Sequence, residues 1–136
     1  MSTESRTALT NILARDVMRR PLTCEATATL PYIAQVLSEH RIHCVLVDGT
    51  TKDRQGTVRD WGVVSDLDVV RGALAGGDVT ASQIAGTDMP IVDANDDLET
   101  VAGALSQHDC SHVVVVDDER PVGVISTLDL AGVLSA

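Results

Sequence analysis

Aromatic side chains are almost missing from this chain of 136 residues, which contains Tyr32 and Trp61 and no phenylalanine. Hydrophobic residues nevertheless make up 44% of the sequence, so the core must be built from valine, leucine, isoleucine and alanine. Valine is typical of strands, whereas alanine and leucine favour helices. The composition therefore predicts an α/β fold, and the length suits one compact domain or two small, interlocked halves.

Positive charge is also scarce, because 10 lysines and arginines face 20 acidic residues and leave a formal net charge of −10. This balance argues against nucleic acid and against an anionic membrane surface, since both require clustered basic residues. No apolar run is long enough to span a bilayer, and the N-terminal stretch lacks the apolar segment of a signal peptide. A small phosphate ligand is still allowed, because it needs only a few local donors.

Cysteine is rare and forms no framework. Cys24, Cys44 and Cys110 are odd in number and have no disulfide spacing. We therefore expect three small buried thiols in a reduced, cytoplasmic setting.

What the sequence does contain is an internal repeat. In each half, an apolar step (Leu22-Thr23 or Ile91-Val92) precedes an amphipathic helix, a continuous apolar strand, a turn and a second strand. Matching the ends of the apolar strands makes Asp48 equivalent to Asp117, with the first half one residue shorter ahead of its strand. The first half also carries a polar insert, predicted to be a long hairpin loop over residues 48–60.

Two short segments share the pattern Gly-apolar-apolar-Ser-x-x-Asp: Gly62–Asp68 and Gly123–Asp129, 61 residues apart (129 − 68). Each follows a predicted strand and begins a helix, which places Ser65 or Ser126 at the N-cap. A helix N-terminus attracts phosphate, the aspartate can accept both vicinal hydroxyls of a ribose, and the glycine permits close approach of a ligand. The same spacing is also a capping box, which needs no ligand. The two interpretations are compatible, and the duplication favours a ligand role.

The paired motif resembles the CBS-domain family, whose repeats end in G-h-h-[ST]-x-x-D-h after a strand of the type H-L-P-V-V-D. The resemblance covers about residues 14–134. It implies two tandem β-α-β-β-α repeats packed about a pseudo-twofold axis, with two clefts between them. The predicted division is a flexible N-terminus over 1–11, a first CBS repeat over 12–78 and a second over 79–136.

The resemblance also implies which residues contact a ligand. In nucleotide-binding members the motif aspartate holds the ribose, and here that position is Asp68 in one half and Asp129 in the other. The motif serine and the backbone of the next residue lie near the phosphates, while the apolar step lines the adenine pocket. The other implied ligand-binding residues are Thr23, Ser65, Asp66, Val92, Ser126 and Thr127.

Basic residues just before the central strand often reach a phosphate in the opposite half of such proteins. Those positions are assigned to His43 and His112, so the resemblance pairs His112 with Asp68 and His43 with Asp129. Further candidates for a phosphate contact, each alternatively a solvated surface charge, are Arg19, Arg20, Arg41, Arg71 and Arg120.

The histidines also permit a zinc-binding interpretation. All four lie near cysteines, in His40-x-x-His43-Cys44 and in His108-x-Cys110-x-His112, and histidine and cysteine are preferred zinc ligands. Alternatively, His40 and His108 are polar residues that favour helix C-termini, and strand alternation separates the other side chains. We predict no bound metal and keep these two clusters as zinc candidates.

The motifs of common enzymes are not found: there is no P-loop lysine motif and no G-x-S-x-G. We therefore expect no catalytic activity and no required cofactor. The predicted function is a standalone regulatory, energy-sensing module that binds AMP, ADP or ATP, with S-adenosylmethionine or NAD as lesser candidates. The alternative is a ligand-free interaction module.

The resemblance further implies a homodimer of CBS pairs, and the ligand would act on an unknown effector protein or on the oligomer. The predicted dimer surface is the apolar face of the helices after the two motifs. The residues assigned to it are Leu67, Val70, Leu128 and Ala131.

Overall fold

The computed structural model describes residues 3–53, 55–86 and 89–135, and the chain divides into two compact units. The central unit is Pro21–Asp88, and the terminal unit combines Met1–Arg20 with Met89–Ala136. In chain order the elements are α1 (Thr3–Asn11), α2 (Ala14–Val17), β1 (Thr23–Glu25), α3 (Leu30–His40), β2 (Cys44–Lys52), β3 (Val58–Ser65), α4 (Asp66–Ala75), α5 (Ala81–Ile84), β4 (Ile91–Asp93), α6 (Leu98–Gln107), β5 (His112–Asp117), β6 (Arg120–Ser126) and α7 (Thr127–Leu134).

Each unit contains a three-stranded sheet of mixed direction. In the central unit the order is β1-β2-β3, with β1 parallel to β2 and β2 antiparallel to β3. The terminal unit repeats this arrangement as β4-β5-β6. The predicted α/β fold with two equivalent repeats is therefore confirmed.

Local chemistry explains where the long helices begin. Thr29 caps α3 by accepting a hydrogen bond from the N–H of Tyr32, and Pro31 occupies the first turn, where its missing N–H costs nothing. Asp97 caps α6 in the same way, accepting from Thr100. The buried strands that follow carry the expected runs of valine, which suit a pleated and enclosed position.

Both cores are aliphatic, as the shortage of aromatic residues requires. In the central unit the buried cluster is Cys24, Ile33, Leu37, Val45, Val47, Val64, Ala81 and Ala85. In the terminal unit it is Leu9, Ala14, Val92, Ala94, Leu98, Val101, Leu105, Val113, Val115, Ile125 and Leu130.

The register of the two sheets corrects the alignment of the repeats. Thr23 lies opposite Leu46, and Ile91 lies opposite Val114, so both pairs are offset by the same 68 positions (91 − 23 and 114 − 46). No residue is missing ahead of the first central strand, and matching the apolar runs by their terminal aspartates was wrong by one position. Val116 pairs with Asp93 as Asp48 pairs with Glu25, so the valine run is one residue longer in the terminal unit.

The long polar loop predicted over residues 48–60 is largely strand. β2 continues to Lys52 and β3 begins at Val58, with a register irregularity between Asp48 and Thr51. The Thr51 hydroxyl donates to the carbonyl of Trp61 at 2.6 Å, which ties the irregular part of the hairpin together.

The N-terminal segment also differs from the sequence prediction. The sequence predicts a flexible stretch over 1–11, but Thr3–Asn11 forms α1, and Leu9 is 3% exposed within the terminal core. The helix is anchored by Leu9, and Ile12 just beyond it packs against the same core. Residues 1 and 2 lie outside the described residues.

Two segments near the predicted repeat boundaries belong to a different unit from the one that their position in the sequence predicts. The stretch up to Arg20 belongs to the terminal unit, and the stretch from Val79 to Gly86, which includes α5, belongs to the central unit. Across the described residues, no helix is long and apolar enough to cross a membrane.

Candidate ligand-binding site

The two Ser-x-x-Asp motifs form matching capping boxes. The N–H of Asp68 donates to Ser65 Oγ at 3.1 Å, and the N–H of Ser65 donates to Asp68 Oδ2 at 2.9 Å. In the terminal unit, the corresponding distances between Asp129 and Ser126 are 3.1 and 3.0 Å. Each motif therefore orients its carboxylate at the first turn of a helix, as the sequence predicts.

The first backbone donor of each helix is already bonded within the protein. The N–H of Asp66 donates to the carbonyl of His43 at 2.8 Å, and the N–H of Thr127 donates to the carbonyl of Ser111 at 2.9 Å. These two N–H groups already have acceptors just ahead of β2 and β5, so they are not open donors for a phosphate, and the placement of this backbone near the phosphates stays a prediction. The side chains of both residues are exposed and remain candidates for a phosphate contact.

The side chain of Asp66 lies at the start of α4. Asp66 Oδ1 accepts from the N–H of Leu67 at 2.8 Å, and Asp66 Oδ2 lies 2.9 Å from His43 Nδ1. The carboxylate thus satisfies a helix donor and pairs with the histidine. The equivalent position in α7 is Thr127, which carries no charge.

The motif glycines accommodate neighbouring side chains. A Cβ added at Gly123 would lie 2.5 Å from the sulfur of Met18, and one added at Gly62 would lie 2.6 Å from Thr51 Oγ1. The close approach expected of a ligand is made instead by side chains of the same unit, so these glycines have a packing role.

Asp129 is held by an arginine that the sequence left among five surface charges. Arg19 Nε donates to Asp129 Oδ1 at 2.8 Å, and the side chain of Asp129 is 10% exposed. Burial alone would raise the pKa of Asp129, but hydrogen bonds from Ser126 and from the Arg19 guanidinium outweigh it and lower the pKa. The carboxylate is therefore charged at neutral pH and has both oxygens engaged.

Asp68 lies beside a cavity of about 320 Å³ within the central unit. Asp68 is 4% exposed. Basic, acidic and amide side chains line the cavity together with small residues. Its lining is Lys52, Asp53, Asp68, Arg71, Gly72, Gln83, Ile84, Ala85 and Gly86. The hairpin, the first turns of α4 and the α5 segment together form this site.

The hairpin side of the cavity is fixed by an ion pair. Arg59 donates to Asp53 at 2.7 Å, and the N–H of Thr57 donates to the same carboxylate at 2.9 Å. The hydrogen bond from Arg59, followed by that from Thr57, lowers the pKa of Asp53. Asp53 is thus charged and already bonded, whereas no ion pair is seen for Lys52 or Arg71 among the described residues.

The register also changes the assignment of the histidines. His112 lies inside β5, opposite Ser126, and the residue opposite Ser65 in the central unit is Cys44. His43 is therefore equivalent to Ser111, and its equivalence with His112 was wrong by one position. The pairings of His112 with Asp68 and of His43 with Asp129 stay predictions.

The same one-residue shift affects the proposed adenine pockets. Thr23 is exposed at the surface, but Val92 is 5% exposed within the terminal core. The true counterpart of Thr23 is Ile91, which is 41% exposed. The equivalence of Val92 with Thr23 was therefore wrong by one position, and because successive strand residues face opposite sides of the sheet, the assignment of Val92 to a ligand pocket stays a prediction.

The zinc candidates do not converge within the described residues, where no group of three histidine, cysteine or acidic side chains is placed to hold a metal. His108 Nδ1 lies 2.9 Å from the carbonyl of Ala104, which is the helix-end role considered for it. Burial, followed by the charge of Asp66, raises the pKa of the Cys44 thiol to about 11. Burial also raises the pKa of Cys110, so neither thiol is poised to form a thiolate ligand.

The sequence reasoning missed the part of the site contributed by the α5 segment. Gln83, Ala85 and Gly86 lie in the sequence-predicted second repeat but line the cavity of the central unit. No local motif marks them. The signal that could have found them is the similarity of the α2 and α5 segments, each a short helix ahead of a repeat.

Two equivalent β-α-β-β-α units, each with a capping-box motif after its last strand, define a tandem CBS pair. The chain belongs to the CBS domain family, whose model matches residues 14–74 and 81–136.

Several known proteins are similar to the chain. Hypoxic response protein 1 of Mycobacterium tuberculosis is 30% identical over 122 residues, which cover 87% of this chain and 82% of that protein. A crystal structure of Hypoxic Response Protein I with two coordinated zinc ions is 28% identical, covers 88% of this chain and 97% of that one, and has a TM-score of 0.67.

Two further similar structures are CBS domains with bound ligands. A CBS domain pair in complex with 5′-methylthioadenosine and S-adenosyl-L-methionine is 24% identical, covers 90% of this chain and 95% of that one, and has a TM-score of 0.70. The CBS domain of a bacterial CNNM/CorC family Mg²⁺ transporter in complex with ATP is 21% identical, covers 97% and 93%, and has a TM-score of 0.73. At these identities the likeness shows the fold.

Proposed function

We propose that this chain is a regulatory module that reversibly binds an adenine nucleotide of the AMP, ADP or ATP class. S-adenosylmethionine and NAD are the secondary candidates. The observation that carries the proposal is the cavity of about 320 Å³ at the Asp68 motif. Its volume falls in the range of about 300–1,000 Å³ typical of small-molecule sites.

The chemistry of the cavity suits a ribose and a phosphate. Asp68 is oriented by its capping box, and each carboxylate oxygen can accept more than one hydrogen bond, so it can receive ribose hydroxyls while still bonded to Ser65. Lys52 and Arg71 line the same cavity and supply positive charge for a phosphate. Two relatives of the same fold carry adenosine-containing ligands, one of them with S-adenosyl-L-methionine and one with ATP.

Regulation follows from preferential binding to one conformation. A ligand that binds one arrangement of the module more tightly shifts the population toward it, and an effector protein or a second copy reads the change. The expected dimer surface has the right character, because Leu67, Val70 and Leu128 are 52%, 55% and 78% exposed. The hypoxic response in a relative's name fits an energy-sensing role.

The three free cysteines fit a reduced, cytoplasmic setting.

The second candidate is a ligand-free dimerisation module. Both capping boxes are complete without a ligand, so the motifs by themselves do not require one. The same exposed apolar residues would then carry the function. This alternative predicts dimer formation that no adenine compound changes.

A zinc-binding function is supported by one relative, whose structure has two coordinated zinc ions. In the described parts of either unit no three histidine, cysteine or acidic side chains are placed to hold a metal, and the pKa values of Cys44 and Cys110 are raised, which argues against a zinc site. Zinc is therefore not part of the proposed function.

Thermal melting against AMP, ADP, ATP, NAD, S-adenosylmethionine and adenosine tests the proposal. A ligand at a hundredfold excess over its Kd stabilises the native state by about 2.7 kcal/mol, which raises the melting temperature by several degrees. Asp68→Asn retains an oxygen acceptor for Ser65 but loses the charge, and we expect it to abolish the shift. Asp78→Asn, an exposed change in the same unit, is the control. No shift with any compound at millimolar concentration would favour the ligand-free module.

A further inference from the structure

The hairpin between β2 and β3 is longer than its counterpart in the terminal unit. β5 ends one residue after Val116, the counterpart of Asp48, and two residues with positive φ then connect it to β6. In the central unit, β2 continues for four residues after Asp48, and the ladder reaches the pair of Lys52 with Val58. The extension therefore brings Lys52 to the cavity beside α4, whereas the terminal hairpin turns back before this point.

The turn of the extended hairpin is held by Asp53, the residue after Lys52. The N–H of Asp53 donates to the carbonyl of Thr57 at 3.0 Å, and the N–H of Thr57 donates to Asp53 Oδ1 at 2.9 Å. Arg59 donates to Asp53 Oδ2 at 2.7 Å and lies over the ring of Trp61, with its guanidinium carbon 5.5 Å from the ring centroid. These contacts engage both oxygens of Asp53 and fix the backbone that carries Lys52 at the cavity.

The charges around the cavity favour an anionic ligand. Asp53 is paired with Arg59, and Asp68 is bonded within its capping box, so both acidic side chains of the described lining have partners. The basic side chains of Lys52 and Arg71 are exposed, and neither forms an ion pair in the described part of the chain. A protein with a net charge of −10 thus has two cations available at one cavity, which suits a phosphate.

We propose that the hairpin extension makes this cavity selective for phosphate-bearing ligands, with Lys52 of β2 and Arg71 of α4 holding the phosphate groups. This inference rests on the proposed function and adds to it which adenine compounds the site accepts. Adenosine has no phosphate for the two cations, and S-adenosylmethionine carries a positively charged sulfonium that they repel. The cavity therefore binds AMP, ADP and ATP more tightly than either of these two compounds.

The test is the dissociation constant of each of these five compounds, measured by titration calorimetry. Lys52→Met removes the charge but keeps a long apolar stem beside Gly56, where an added Cβ would lie 3.7 Å from Lys52 Cε. We expect it to weaken the binding of the three nucleotides about tenfold and to change that of adenosine by no more than about twofold. Lys52→Arg keeps the charge and should retain the affinity for nucleotides, whereas Arg71→Gln should repeat the effect of Lys52→Met.

A matched control separates the two cations from the total charge of the protein. Ser38→Glu lowers the net charge by the same single unit at an exposed position of α3, a helix that contributes no residue to the described cavity lining. It should leave the dissociation constants of the nucleotides unchanged. Because salt screens ionic contacts, the affinity of the unaltered protein for ATP should also fall more steeply with NaCl concentration than that of Lys52→Met.

The outcomes separate this inference from the proposed function. Nucleotides that bind no more tightly than adenosine, or that keep their affinity on either Lys52→Met or Arg71→Gln, would overturn the phosphate selectivity while leaving adenine binding intact. An equal loss on Ser38→Glu would overturn it as well, because the effect would then come from the total charge. No binding of any compound to the unaltered protein would overturn the proposed function together with this inference.

Discussion

The cap on α4 allows a sharp test of the local energetics. Ser65→Ala removes the oxygen that accepts the N–H of Asp68 at 3.1 Å, but it leaves the reverse bond from the Ser65 N–H to Asp68 Oδ2. Only one of the two hydrogen bonds of the box is lost. Replacing a serine cap by alanine costs about 1 kcal/mol of the free energy of unfolding. With a urea dependence of about 2 kcal/mol per molar, the midpoint should fall by about 0.5 M.

Trp61 makes this change easy to measure. It is the one tryptophan of the chain, lies on β3 just ahead of the cap and is 8% exposed. Urea unfolding followed by its fluorescence, without nucleotide, therefore reports on the central unit. Ser38→Ala changes an exposed serine of α3 that has no capping role, and it should raise the midpoint slightly, because alanine is the better helix former.

Opposite signs for the two serine-to-alanine changes are the central expectation. Ser65→Thr keeps an acceptor oxygen and should recover most of the lost stability. A Ser65→Ala midpoint equal to that of the unaltered protein would refute the cap geometry. A loss that also appears in Ser38→Ala would show that the effect does not come from the cap.

Three further predictions concern acid stability, thiol reactivity and metal content. Because the pKa of Asp129 is lowered in the folded protein, its pair with Arg19 stabilises the fold above the unfolded value of about 3.8 and loses this effect as the pH falls through the folded value. In urea titrations, Arg19→Ala should therefore have a smaller free energy of unfolding than the unaltered protein at pH 6. This difference should shrink as the pH falls through the folded pKa of Asp129, and a difference that stays the same would contradict the prediction. Cys44, with its pKa raised to about 11, should react slowly with iodoacetamide at pH 8 until urea is added, as read by mass spectrometry of its peptide, and fast native labelling would contradict its burial. Protein purified without a histidine tag should contain well below one zinc per chain by elemental analysis and should melt at the same temperature with EDTA, whereas one equivalent or more would revive the zinc hypothesis.

The repeat, the strand–Ser–helix motif and its capping box were all predictable from the sequence. They depend on local chemistry, namely apolar periodicity, a cap residue and its spacing to an acid. Register was the weak point, because a run of four valines over 113–116 offers no internal mark of which residue faces the core. The resulting shift of one position gave His112 and Val92 the wrong counterparts in the first repeat, and one step along a strand reverses the face.

The contact between Arg19 and Asp129 was beyond sequence reasoning for a different reason. The two residues lie 110 positions apart, and Arg19 lies in the sequence-predicted first repeat but bonds to the motif of the second. Gly86 shows the converse, because it lies in the predicted second repeat and lines the cavity at the motif of the first. Such assignments depend on which unit a connecting segment packs against, and that choice is made by backbone hydrogen bonds that any residue can supply.

A crystal structure of the protein grown with the adenine compound that most raises its melting temperature tests the central claim most directly. The account predicts ribose hydroxyls within hydrogen-bonding distance of the Asp68 carboxylate. A nucleotide bound away from the Asp68 motif would contradict it.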